Sequence, residues 1–144
     1  MKKILSRSVL MLSILIGFVA TTTAQAKKMT FSGSRVEGKI LQIDFDSSNK
    51  EHIIMYIKWM PDKERDVIID ASTIAMIVSQ NFPDVSTLSL CAVSSAVIPT
   101  NALIINWHGV IDREAMLRIN GQRIKDYAKK LYRPLFIEKK CIQG

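Results

Sequence analysis

Two histidines, two cysteines and a few closely spaced carboxylates are the residues of this chain from which chemistry could be built. His108 closes an apolar run beside Asn106 and Trp107, just before Gly109, with Asp112 a short step further on. An imidazole with a carboxylate close by is a general-base arrangement. The simpler reading is an exposed histidine at the end of a strand. His52 stands beside Glu51 at a strand start and reads as a solvated edge residue. Asp44 and Asp46 are two positions apart and share one strand face, a pairing suited to acid–base work or to holding a cation. They also fit the wet face of an edge strand, where charge discourages sheet-to-sheet association. Neither histidine has a serine or cysteine fixed beside it by spacing. No G-x-S-x-G elbow, H-E-x-x-H pair or glycine-rich phosphate loop occurs. No catalytic residue or cofactor is assigned, and the expectation is a protein without enzymatic activity. A small secreted enzyme using His108 is the alternative.

Cys91 and Cys141 are the only cysteines. In an oxidising compartment such a pair reads as a disulfide. It would close a loop of 50 residue steps, from 91 to 141, which the chain-entropy model values at roughly 2–4 kcal/mol. Two separate thiols are the alternative, with Cys91 a small apolar residue in a strand. Two cysteines and two distant histidines offer no zinc-ligand spacing, so no metal site is expected.

The densest charge is C-terminal: Arg113, Arg118, Arg123, Lys125, Lys129, Lys130, Arg133, Lys139 and Lys140 against Asp112, Glu114, Asp126 and Glu138. Arg118, Arg123, Lys125, Lys129, Lys130 and Arg133 are the candidate partner-binding surface. A basic stripe can meet an acidic protein in the cell envelope or an anionic membrane surface. The plain alternative is a solvated helix face.

The compartment is set by residues 1–26. Lys2, Lys3 and Arg7 precede the apolar run Val9–Ala20, and Ala24-Gln25-Ala26 follows. A positive segment, a short apolar segment and an A-x-A site are the parts of a secretory signal peptide. Twelve positions are too few for a span, which needs about 20, and no cysteine near the cleavage point could carry a lipid. The expected product is a soluble single domain, residues 27–144, in a bacterial periplasm, with release to the medium as the alternative. Three of the cations leave with the signal, so +4 of the net charge of +7 remains. Nucleic acid is a poor partner in that compartment. An accessory role in an envelope-spanning secretion or transport apparatus is the leading expectation. A secreted inhibitor or host-directed factor is another.

These residues must be positioned by a small core. Lys27–Glu37 reads as a loose lead-in. Leu41, Ile43 and Phe45 alternate with Gln42, Asp44 and Asp46, a half-buried strand. A turn leads to a second, more central strand over His52–Met60, in an antiparallel hairpin with the first. A helix follows, starting after Asp66 or after a short strand at Asp70. Its apolar face holds Ala71, Ile74, Ala75, Val78 and Phe82, and Pro83 ends it. Strands are expected over Val85–Val93 and Ala102–His108, with Gly109 as the exit. Trp59 and Trp107 lie on apolar strand faces and are expected in the core.

Asp112 can cap a second helix towards Tyr132, with Leu117, Ile124, Tyr127, Ala128 and Leu131 as its apolar stripe. Gly121 weakens it by about 1 kcal/mol, and Asn120-Gly121 could instead be a hairpin turn. Leu135–Ile142 gives a last strand. The fold class expected is α+β, a mostly antiparallel sheet with two helices on one face. Its order is a ferredoxin-like split βαβ arrangement preceded by an extra strand.

Overall fold

The computed structural model describes residues 30–62, 66–95 and 103–140, except for the side chains of residues 95, 103 and 126–129. The signal segment and Cys141, and with it the Cys91–Cys141 bridge, lie outside the described residues. The fold is α+β, built on a five-stranded sheet. Its elements are β1 (Ile40–Asp46), β2 (Ile53–Trp59), α1 (Val67–Asn81), β3 (Val85–Ser95), β4 (Leu103–Asp112), α2 (Arg113–Met116), α3 (Ile124–Tyr127) and β5 (Ile137–Lys139).

The strands lie in sequence order across the sheet. β1–β2, β3–β4 and β4–β5 are antiparallel, whereas β2 and β3 are parallel neighbours. A parallel pair needs a crossover connection, and α1 supplies it. This corrects the interleaved ferredoxin-like order: the two strands joined by α1 pair directly, with no strand between them.

Asp66, not Asp70, caps α1, its carboxylate accepting from the Ile68 amide at 2.8 Å. Asp70 is instead fully buried, accepting from Trp59 Nε1 at 3.4 Å. Ile57, Trp59, Leu88, Leu90 and Ile111 meet Ile68, Ala71, Ile74 and Val78 in one core. Ile77 is buried too, so α1 buries more than the expected stripe. The C-terminal turns pack against it.

Four expectations need correction. The lead-in is part of the core, because Phe31 and Val36 are fully buried; Gly33, at φ 75°, makes the turn between them. Leu41 is 44% exposed, because a register shift between Ile40 and Gln42 turns Ile40 inward in its place. Gly109 does not end its strand, since β4 runs on to Asp112. The second long helix does not form.

Asp112 does cap a helix, accepting from the Ala115 amide at 2.8 Å, but α2 lasts four residues. Turns over Gly121–Arg123, α3, a wide turn over Ala128–Tyr132 and another over Arg133–Leu135 complete the segment. The break is stabilised locally. The Asn120 side chain accepts from the Gln122 amide at 3.1 Å, and Tyr132 Oη accepts from the Asn120 amide at 3.0 Å. Gly121 approaches α1 closely: a β-carbon there would lie 2.2 Å from Met76 Sδ, the far end of a flexible side chain. The broken path leaves Leu117 and Leu131 exposed, at 65% and 56%, and buries Met116, Ile119, Ile124 and Tyr132.

Candidate functional site

The sheet's two faces differ in kind. One carries the core against α1. The other presents Gln42, Asp44 and Tyr56 exposed, Lys58, Cys91 and His108 half-buried, and Ser89 buried. Strand pairing arranges these in two rows. Lys58, Cys91, His108 and Lys139 are successive cross-strand partners from β2 to β5. Asp44, Tyr56, Ser89 and Val110 form the row beside it. Cross-strand neighbours on one face lie about 4.5–5.5 Å apart at Cβ, so the rows bring polar groups of all five strands together.

Between the rows Ser89 Oγ lies 2.9 Å from His108 Nε2. Burial, with the positive charge of Lys139 beside it, lowers the His108 pKa below 6.5. Both effects oppose the imidazolium. The neutral ring can therefore accept the Ser89 hydroxyl proton near neutral pH. A shallow depression of about 250 Å³ opens next to this pair, lined by Gln42, Asp44, Tyr56, Lys58, Ser89 and Cys91. That volume is below the usual range for a small-molecule pocket, about 300–1,000 Å³.

The carboxylate expected beside His108 is occupied elsewhere, as Asp112 caps α2. Ser89 takes its place, and sequence reasoning missed it. The signal was the run Thr87, Ser89, Cys91 opposite Leu88 and Leu90, a strand with one small polar face. Only the register of β3 against β4 shows that Ser89 reaches His108. His52 is exposed, with Nδ1 3.2 Å from Ser86 Oγ and Nε2 3.4 Å from Thr87 Oγ1.

Asp44 and Asp46 do not act as a pair. Asp44 accepts from the Gln42 side-chain Nε2. Asp46 Oδ1 accepts from the Ser48 amide at 3.1 Å and hydroxyl at 2.7 Å, closing the β1–β2 turn. The Ser48 hydroxyl bond is the main cause of a lowered Asp46 pKa. Among the described residues no group of three or more His, Cys, Asp or Glu is placed to hold a metal.

The C-terminal cations divide. Arg113 turns inward: its guanidinium donates to the Ser79, Phe82 and Val85 carbonyls at 2.9, 3.0 and 2.9 Å. Arg118, Arg123, Lys125, Lys130 and Arg133 are exposed. Arg118 pairs with Glu114 at 3.3 Å and Arg133 with Glu138 at 3.0 Å. Glu138 also accepts from Trp107 Nε1 at 3.0 Å. That bond, ahead of the Arg133 charge, holds its carboxyl below the usual range. The Lys129 side chain lies outside the described residues.

Among the described residues no helix is long and apolar enough to cross a membrane. Comparison of the chain with family models, curated proteins and solved structures found no match.

Proposed function

We propose that this chain is an exported, non-enzymatic binding or assembly protein of the cell envelope, docking an acidic protein partner through its C-terminal basic surface. The observation that carries the reading is the fate of the five cations there whose side chains are described. Arg118, Arg123, Lys125, Lys130 and Arg133 all emerge exposed on a string of short turns pinned to α1. Charged surfaces of this kind steer association and set orientation. Their attraction is screened beyond a Debye length of about 8 Å at physiological salt, so the complex should weaken as salt is raised.

The exported location rests on the signal segment, and the Cys91–Cys141 bridge belongs to the same proposal. The periplasm is the compartment favoured. An accessory component of a secretion or transport apparatus fits a small domain with a charged docking face.

The test is photo-crosslinking in intact cells from a reactive side chain placed at Lys125 or Lys130. Adducts with one envelope protein, from the mature form in the periplasmic fraction, support the reading. Adducts with lipid only would replace the protein partner by an anionic membrane. Recovery of the full-length chain in the cytoplasm would overturn the exported role.

A further inference from the structure

We propose that Ser89 is a nucleophile activated by His108, forming a covalent modification site for activated esters and phosphonyl compounds. The site lies on the open face of the sheet, so it is independent of the docking surface and does not rest on it. Three observations place it. Ser89 Oγ and His108 Nε2 are at hydrogen-bond distance, 2.9 Å. Ser89 is buried, with 7% of its surface exposed, and yet it lines the 250 Å³ depression. A reagent therefore reaches it from one side while the imidazole stands on another. Lys58 and Asp44 both line the same depression, and in the step proposed the Lys58 charge is the one that stabilises an oxyanion.

A serine hydroxyl is a weak nucleophile until a base takes its proton. In the step proposed, Ser89 Oγ bonds to the carbonyl carbon of an activated ester while its proton passes to His108 Nε2. The carbonyl oxygen becomes an oxyanion facing Lys58. The C–O bond to the leaving group then breaks, and the departing alkoxide takes the proton back from His108. The products are acyl-Ser89 and a free alcohol. With a fluorophosphonate, the Oγ–P bond forms, the P–F bond breaks, fluoride departs and His108 releases the serine proton to solvent. The pair is a dyad, because the carboxylate that could have oriented His108 caps α2 instead. A dyad on an open face suits single-turnover capture of a reactive acyl or phosphonyl group.

The experiment is labelling of the full chain with a fluorophosphonate, with the adduct mapped by peptide mass spectrometry and its rate followed from pH 5 to 8. The adduct is expected at Ser89. Its rate should rise as the imidazole deprotonates, with a midpoint below 6.5, and then level off. Ser89→Ala should abolish it. His108→Asn should slow it by about 100-fold, the lower range for general-base assistance. Loss of less than about tenfold in His108→Asn would overturn the role of the imidazole, given that range. An adduct at Cys91, Tyr56 or Lys58 in place of Ser89, or none at all, would overturn the site. The pH profile and the mapped residue are read on the unaltered chain, so they stand even where a variant fails to fold.

Discussion

The Trp107 ring lies over Gly109 so closely that a β-carbon on residue 109 would sit 2.1 Å from it. The ring also meets Trp59 and Phe136 edge-on, at centroid distances of 6.1 and 5.6 Å. Strands disfavour glycine because it leaves a gap in side-chain packing. Here the indole two residues away fills that gap and seals the sheet beside β5. Glu138, the cross-strand partner of Gly109, holds the indole N–H at 3.0 Å.

Gly109→Ala should therefore displace a rigid ring packed among two other aromatics. Overpacking of this kind costs about 1–3 kcal/mol. Gly121→Ala meets only the thioether end of Met76, which can swing aside, and should cost less. Chemical denaturation of the two variants checks the ranking, and equal losses would contradict it.

Arg113 looks like one more member of a basic stripe but acts as an internal clamp. It joins the end of α1 to the start of β3 through three carbonyls. Hydrogen bonds to charged groups contribute about 1.5–3 kcal/mol each, and their losses are not additive. Arg113→Ala should destabilise the fold by about 3 kcal/mol on that scale. Arg113→Lys should recover only part of it, because an ammonium lacks the planar fork. Thermal melts of both variants read this directly.

Folding should also register the half-buried imidazole. The folded pKa of His108 lies below its unfolded value near 6.5, so the unfolded chain binds more protons in the window between the two. Stability then rises with pH through that window and falls as pH drops from 6.5. His108→Asn should flatten this part of a urea-midpoint profile. The lowered carboxyls of Asp46 and Glu138 act in a separate window, losing their contribution only as pH falls through the acidic carboxylate range. A profile unchanged between pH 5.5 and 7.5 in His108→Asn would contradict the burial of the ring.

Cys91 and Cys141 give a mass prediction. If the chain is exported as proposed, protein from a periplasmic fraction should gain two hydrogen atoms on reduction, and its melting temperature should fall with loss of the bridge, worth roughly 2–4 kcal/mol. Free thiols in that material would remove the bridge from the proposal.

Much of the fold was legible in the residues. The β1–β2 hairpin, α1 and its end at Pro83, and the strand containing Leu88 and Leu90 all follow from local periodicity. What local pattern could not give was pairing. A β–α–β run is compatible with direct or interleaved neighbours, and only the hydrogen bonds decide that β2 lies beside β3. Ser89 went unseen for the same reason, since it sits far from His108 in the chain and reaches it through register. The C-terminal helix was misread because Leu117 and Leu131 have helical spacing. Asn120, Gly121 and the Tyr132 hydroxyl redirect the chain through contacts made only in the folded state. The cations of that segment were legible as a group, but which of them turns inward was not: Arg113 goes to the carbonyls that end α1.

The most direct test of the docking role is capture of the envelope partner by the parent chain and by a Lys125→Glu/Lys130→Glu variant, after crosslinking in intact cells. With the C-terminal surface as the docking face, the partner recovered by the parent should be lost from the charge-reversed variant and kept by His108→Asn. Equal recovery by the charge-reversed variant would contradict it.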